Sequence, residues 1–220
     1  MANWAVDMSN WSGKITLAQA QQMRAEGWDH AIVGLQNADI AQNQLDMLSA
    51  AGLTVDSYVY LLPDLSASDQ IAVAMDKLGG RGVQKLWLDC EGENWPGPQE
   101  SITLIQQAAD ACIGVVWTGI YTSRNWWITH TDNSEQFKDW ALWLATADDV
   151  PDLSFTPFGG WTRLAMEQFA FDRPVAGVNC DLNVVSPPLV PVPPETPTDF
   201  VLGVQAGWQR AITLLQDNKP

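Results

Sequence analysis

An aspartate and a glutamate separated by one residue follow the apolar run Leu86–Leu88, and this pair is the part of the sequence best suited to chemistry. The order is Asp89, Cys90, Glu91. In a β-strand, residues i and i+2 point to the same face, so the two Cα atoms would lie about 6 to 7 Å apart with both carboxyl groups on one side. Repulsion and partial burial would raise the pKa of at least one carboxyl group. A group of this kind can act as a general acid near neutral pH.

The elements around this pair alternate between apolar strand-like runs and segments with helical periodicity, which is typical of βαβ units and a parallel sheet. Thr16 and Ser68 are predicted helix N-caps, and Gly27, Gly52 and Gly79 stand where helices should end. Strands are predicted at residues 4–7, 30–35, 54–61, 85–89, 115–121, 140–145, 165–169 and 178–183, and helices at about 16–26, 40–51, 68–78 and 99–111. Eight strands, with helices concentrated in the first five units, predict an α/β fold: a closed, incomplete TIM-like barrel with its site at the C-terminal ends of the strands.

Two more acids are expected at the same mouth. Asp7 ends the first predicted strand with Ser9 on the same face, and Asp181 belongs to the last strand. Because the first and last strands of a closed barrel are neighbours, both acids should approach the pair on the fourth strand. Four clustered carboxylates cost stability, which favours a functional site over the simpler interpretation that Asp89 and Glu91 end a strand and face water.

A metal site is the competing use of four carboxylates. No histidine lies among them, and no D-x-D-x-D-G loop is present. We therefore expect no metal and no cofactor. The three cysteines have no C-x-x-C spacing, and Cys90, between the two acids, should point away from them as a small buried hydrophobe.

The charge of the chain restricts its partners. A net charge of −15 and a pI near 4.2 oppose binding to nucleic acid or to an anionic membrane surface. The first residues lack the basic and apolar regions of a signal peptide, so synthesis in the cytoplasm is expected. Twelve tryptophans are several times the usual share, and indoles in a cleft can stack on sugar rings.

Three segments are predicted along the chain. Residues 1–185 form the catalytic barrel, and the proline-rich residues 186–198 form a linker or a surface strap. Residues 199–220 are predicted to hold one amphipathic helix, because apolar residues recur there at helical spacing. These apolar residues are Val201, Val204, Trp208, Ala211 and Leu215.

Several segments in the same order resemble glycoside hydrolase family 25, the Chalaropsis-type lysozymes that include many phage endolysins. The resemblance spans residue 4 to about residue 185. It rests on the start AVDMSNWSG, the strand LWLDCE, the segments GIYTSRNWW and LWLA, and EQF followed by DLN. It implies a (βα)5β3 barrel that hydrolyses the β-1,4 bond between N-acetylmuramic acid and N-acetylglucosamine in peptidoglycan, without a cofactor.

The resemblance also implies roles for individual residues. Glu91 matches the proton donor, and Asp89 matches an acid that either attacks the sugar or orients the substrate's own 2-acetamido group. The residues that match further active-site acids, cleft aromatics and a polar position on the seventh strand are Asp7, Asp181, Tyr58, Tyr121 and Gln168. Ser9 and Trp87 share faces with these acids and are included as substrate-binding candidates, although Trp87 is better suited to filling the barrel.

Three functions follow from these residues. The first is a monomeric muramidase, most simply a phage endolysin that acts on the host wall after another protein opens the membrane, with a possible additional wall-binding domain. The second is a non-catalytic glycan-binding barrel in a phage structural protein. The third is a chitinase-like glycosidase, which would carry more acids upstream on the fourth strand than Lys85–Leu88 offers.

Overall fold

Eight strands close into one barrel in chain order within residues 3–187, which are the residues that the computed structural model describes. The strands are β1 (Asn3–Met8), β2 (Trp28–Gly34), β3 (Thr54–Tyr60), β4 (Lys85–Asp89), β5 (Trp117–Thr122), β6 (Ala141–Ala145), β7 (Met166–Val175) and β8 (Val178–Val185). Strands β1 to β7 are parallel, and β8 runs antiparallel between β7 and β1. The predicted closed barrel is confirmed.

Helices cover only the first five strands. They are α1 (Leu17–Ala25), α2 (Ala38–Ala50), α3 (Ala67–Leu78), α4 (Pro98–Cys112) and α5 (Arg124–Thr131), and a 3-10 helix, Asn10–Ser12, follows β1. Between β6 and β7 the described chain has no helix, and β7 joins β8 through a hairpin turn. The architecture is therefore (βα)5β3. None of the helices in residues 3–187 is both long and apolar enough to cross a membrane.

Local capping explains where the predicted helix boundaries hold and where they fail. Thr16 caps α1 as predicted, since its hydroxyl accepts a hydrogen bond from the amide of Gln19, whose side chain bonds back to Thr16. The N-cap of α3 is Ser66 rather than the predicted Ser68. Helix α5 was not among the predicted helices, because its aromatic and β-branched residues have weak helix propensity. Its one strong local signal is the N-cap Ser123, which accepts from the amide of Trp126.

The last two strands are longer than predicted. β7 continues to Val175, and residues 171–174 in this extension are exposed. Without a buried face, these residues lack the apolar alternation on which a strand prediction depends. The predicted proline-rich segment 186–198 and terminal helix 199–220 lie outside the described residues, except for Ser186 and Pro187.

Side chains on β4 alternate between two cores. Leu86, Leu88 and Cys90 belong to the apolar layer between the barrel and its helices, as expected for Cys90. Trp87 points into the barrel, where its Nε1 donates to Oδ2 of Asp56 at 2.9 Å. This inner tryptophan fills the barrel beneath the mouth, so the acids above it rest on a packed floor.

Gly119 on β5 should be replaceable only at a cost. A Cβ at this position would lie 2.4 Å from Cζ3 of Trp87, inside the barrel. We expect Gly119→Ala to lower the free energy of unfolding by about 1 to 3 kcal/mol, measured by urea denaturation. Gly82→Ala is the matched control, since a Cβ there meets no atom within 4 Å and Gly82 has no positive φ. Equal losses in the two variants would contradict this account.

Candidate active site

A cavity open to solvent lies at the C-terminal ends of the parallel strands. Its lining brings together seven of the predicted site residues and adds Trp143 as a further aromatic wall. The full lining is Asp7, Tyr58, Asp89, Glu91, Tyr121, Trp143, Gln168 and Asp181. All four predicted acids therefore face one mouth. Asp7 and Asp89 lie at the ends of their strands, Glu91 lies just beyond the end of β4, and Asp181 lies opposite Asp7 on β8.

The backbone that carries Glu91 is fixed by two indoles. Nε1 of Trp95 donates to the carbonyl oxygen of Glu91 at 2.8 Å, and Nε1 of Trp126 donates to that of Gly92 at 3.0 Å. The two rings pack edge to face with centroids 4.7 Å apart. Gly92 has φ +81°, and a Cβ there would lie 2.1 Å from the Tyr60 hydroxyl oxygen, so only glycine fits this turn. Glu91 is thus held by main-chain contacts rather than by its own side chain.

Asp7 and Asp181 are directly opposed in the β1–β8 register. The side-chain amide of Gln168 bridges them, since Nε2 donates to Asp7 Oδ2 at 2.9 Å and to Asp181 Oδ2 at 3.2 Å. The Tyr121 hydroxyl in turn donates to Gln168 Oε1 at 2.7 Å, which fixes the orientation of the amide. Four residues predicted from the sequence, Asp7, Asp181, Gln168 and Tyr121, therefore form one hydrogen-bonded unit.

Asn183 and Trp143 complete this unit and were not predicted as site residues. Nδ2 of Asn183 donates to Asp7 Oδ2 at 2.7 Å, and Nε1 of Trp143 donates to Asn183 Oδ1 at 2.7 Å. Both residues had a signal in the sequence, because Asn183 is two positions after Asp181 and Trp143 lies on the inward-facing alternation of β6.

Burial raises the pKa of all four acids. For Asp7 burial is the largest cause, followed by the charge of Asp181, and the pKa rises to about 7 despite hydrogen bonds from Asn183 and Gln168. Asp89 is only 3% exposed, and burial together with the charges of Glu91 and Asp7 raises its pKa well above the usual value. Burial, then the charge of Asp181, raises the pKa of Glu91. The site can therefore hold protons close to neutral pH.

Asp181 is only partly buried, unlike Asp7 and Asp89. Burial raises its pKa, while the amide of Asp172, which donates to Asp181 Oδ1 at 2.8 Å, lowers it. Asp89 differs again, because its Oδ1 is buried and has no hydrogen-bond partner among residues 3–187. The acids therefore have distinct surroundings, which is what separate chemical roles require.

Tyr58 forms the wall of the cavity next to β2. Nε2 of Gln36 donates to its hydroxyl oxygen at 3.0 Å, and Gly34 leaves room for the ring, since a Cβ there would lie 2.6 Å from that oxygen. Burial raises the pKa of Tyr58, so its hydroxyl stays protonated.

Two predicted substrate-binding residues do not line the cavity. The Ser9 hydroxyl instead caps the 3-10 helix by accepting from the amide of Trp11 at 3.1 Å. Trp87 lies deeper in the barrel, held by Asp56 and packed edge to face on Trp143 with centroids 5.6 Å apart. Both share a strand face with an acid, but capping and barrel packing occupy them. Within residues 3–187, no group of three or more His, Cys, Asp or Glu side chains is arranged to hold a metal ion.

Sequence comparison decides the family. The model of a family described as lysozyme-like protein 1 matches residues 2–169, which is more than half of the chain. The chain belongs to glycoside hydrolase family 25. The catalytic roles of its acids in this chain stay predictions.

Relatives of this family 25 chain include two proteins of Dictyostelium discoideum. Counting factor 50 is 30% identical over 142 residues, covering 59% of this chain and 46% of the relative. Probable GH family 25 lysozyme 3 is 30% identical over 147 residues, covering 61% of this chain and 30% of the relative. The matched part of this chain thus spans less than half the length of either relative.

The fold is that of solved family 25 structures. The lysozyme from Aspergillus fumigatus superposes with a TM-score of 0.73 at 18% identity, covering 86% of this chain and 96% of that one. At this identity the similarity supports the shared barrel alone. The shared barrel agrees with the (βα)5β3 order described above.

Glu167 is a buried acid outside this family 25 site. It is 1% exposed, its Oε1 accepts from the Thr146 hydroxyl at 3.1 Å, and its Oε2 has no hydrogen-bond partner among the described residues. Burial raises the pKa of Glu167 to about 7, with the charges of Asp148 and Asp152 adding to the rise. Because the folded pKa is above the ordinary value of 4.5, the folded protein binds the extra proton between these values. Binding of this proton to Glu167 raises the free energy of unfolding. The full increase is present below about pH 4.5, and it is lost as the pH rises through about 7.

We expect Glu167→Gln to remove the decrease in the free energy of unfolding that accompanies ionisation of Glu167. The variant should match the parent in free energy of unfolding at pH 4.5 and exceed it by about 1 to 2 kcal/mol at pH 8, measured by urea denaturation across this range. Glu135→Gln, at an exposed glutamate, is the matched control and should not change the slope against pH. Parallel curves for the parent and Glu167→Gln would contradict the assignment.

Proposed function

We propose that this protein is a lysozyme that hydrolyses the β-1,4 bond between N-acetylmuramic acid and N-acetylglucosamine in peptidoglycan. The observation that carries the proposal is the cavity in which four carboxyl groups with raised pKa values face one another between aromatic walls. Membership of glycoside hydrolase family 25, with relatives named as lysozymes, supports this substrate. Glycosidic cleavage needs one protonated carboxyl group and at least one further carboxylate beside the bond.

Glu91 is the general acid in this mechanism. It is less buried than Asp89, so it can reach a glycosidic oxygen at the mouth, and the indoles of Trp95 and Trp126 fix its backbone. The charge of Asp181 helps to keep it protonated by raising its pKa. Glu91 would give its proton to the leaving oxygen as the bond to the anomeric carbon breaks.

Asp89 stabilises the sugar that is being cleaved. Asp89 lines the cavity, and its carboxyl group makes no hydrogen bond to the other described residues, so it can accept from the N–H of the substrate's 2-acetamido group. The acetamido oxygen then attacks the anomeric carbon, and water later opens the resulting ring and returns a proton to Glu91 as its general base. Direct attack by Asp89 is the alternative, and a covalent glycosyl–Asp89 adduct detected by mass spectrometry would favour it.

Replacing the acid should abolish turnover. We expect Glu91→Gln to lower kcat at least about 100-fold, because the leaving oxygen loses its proton donor. The measurement is the release of reducing ends from purified peptidoglycan, with product analysis to separate muramidase from glucosaminidase. Glu93→Gln is the matched control, since Glu93 is exposed two residues away. A wild-type protein that binds peptidoglycan but releases no reducing ends between pH 4 and pH 8 would overturn the hydrolase and favour a glycan-binding barrel.

The pH profile should depend on Asp181. Its negative charge raises the pKa of Glu91, so Asp181→Asn should lower that pKa and shift the alkaline limb of kcat/KM to lower pH by about half a unit. Asp110→Asn, at an exposed residue of α4, should leave the limb in place. An alkaline limb that stays fixed in Asp181→Asn would show that another group supplies the proton.

The setting that we propose is a phage endolysin, made in the cytoplasm of a bacterial host and acting on its cell wall as a monomer once another protein has opened the membrane. The support is the substrate, since cleavage of wall glycan strands is the reaction that lyses a host. Expression in the cytoplasm with and without a membrane-permeabilising protein tests this setting. Lysis only in the presence of the permeabilising protein is expected, and lysis without it would overturn this route.

A further inference from the structure

Trp11 is an exposed indole just beyond the C-terminal end of β1, at the end of the barrel where the cavity opens. It is 88% exposed, and among residues 3–187 no other aromatic ring packs against it. It follows Asp7, which lines the cavity, by four residues, and its 3-10 helix packs beside β8, the strand that carries Asp181. An apolar side chain of this size beside a polar mouth leaves a large surface that a ligand can cover.

The backbone beneath Trp11 is held rigidly. Ser9 and Ser12 cap the 3-10 helix reciprocally. The fully buried Gln44 on α2 donates through Nε2 to the carbonyl oxygens of Ser9 at 3.0 Å and Gly13 at 2.8 Å. These hydrogen bonds hold both ends of the loop formed by residues 9–13, so the backbone that carries the Trp11 indole is fixed. Binding to a fixed platform costs less conformational entropy than binding to a loop that must first be ordered.

The charge of the protein favours an uncharged contact of this kind. The cavity is lined by four acids, and the chain has a net charge of −15. Long-range attraction therefore does little to hold a wall polymer that is itself anionic. A sugar ring presents an apolar face of C–H groups, and an indole can cover that face without an ion pair.

From this geometry we infer that Trp11 is a stacking platform for an outer sugar ring of the glycan strand, beyond the two rings that flank the cleaved bond. The inference rests on the proposed glycan substrate and adds a binding site outside the cavity. The platform lengthens the contact with the strand on the side of Asp7 and Asp181, and it acts on binding rather than on the chemical step.

The test is Trp11→Ala, with Trp117→Ala as the matched control. Trp117 is also exposed, at 78%, but begins β5 and so lies at the opposite end of the barrel. The probe is a soluble octasaccharide of alternating N-acetylglucosamine and N-acetylmuramic acid. We expect Trp11→Ala to raise KM about threefold to tenfold with kcat unchanged within about twofold, and Trp117→Ala to change neither. Trp11→Phe, which keeps a smaller platform, should recover most of the loss.

Binding separates this proposal from the proposed reaction. In a Glu91→Gln background, calorimetric titration with the octasaccharide should show the same threefold to tenfold loss of affinity for Trp11→Ala. Equal affinity in the presence and absence of Trp11, or equal losses for Trp11→Ala and Trp117→Ala, would overturn the platform while leaving the lysozyme in place. No binding by the parent would overturn the glycan substrate and the platform with it. A change in the sedimentation coefficient of the free protein in Trp11→Ala would assign the indole to a self-contact and also overturn the platform.

Discussion

The antiparallel pairing of β8 with β1 is the constraint on which the site depends. It closes the barrel, and its register sets Asp7 directly opposite Asp181. Two carboxylates that face each other across neighbouring strands repel each other, and burial increases the repulsion. Neutral side-chain amides, rather than cations, donate hydrogen bonds to these carboxylates. Gln168 bridges both acids, and Asn183 donates a second hydrogen bond to Asp7. Amides stabilise the carboxylates without cancelling the negative field that raises the pKa of Glu91.

The fold was largely predictable because its signals are local. The strands in the first half alternate with helices, and their ends carry caps and glycines, so the barrel and the mouth follow from periodicity. The sequence does not predict helix α5 or the extension of β7 and β8. Aromatic and β-branched residues give α5 a weak helical signal, and the exposed residues of the extension lack an alternation of apolar and polar side chains. Local signals therefore reveal elements that bury one face, and they weaken where an element buries little.

The site was predictable in its acids and less so in its supports. Asp7, Asp89 and Glu91 stand at or just beyond strand ends, where a barrel holds its catalytic groups, and Asp181 on β8 lies opposite Asp7. The bonds that orient them link residues up to 176 positions apart in sequence, such as Asn183 and Asp7, and depend on barrel closure and side-chain direction. The alternation of side chains along a strand also predicts Ser9 and Trp87 in the site. The Ser9 hydroxyl instead caps the 3-10 helix, and Trp87 packs inside the barrel, where it donates to Asp56.

The indole contacts behind Glu91 have a consequence for how such a protein could change over evolutionary time. Trp95 and Trp126 bind main-chain oxygens, so the position of residue 91 does not depend on which side chain it carries. In the proposed mechanism, one substitution at this position would end hydrolysis while leaving the barrel, the aromatic walls and the amide network intact. The step from a hydrolase to a lectin-like glycan receptor is therefore architecturally small, and recognition could be inherited separately from turnover.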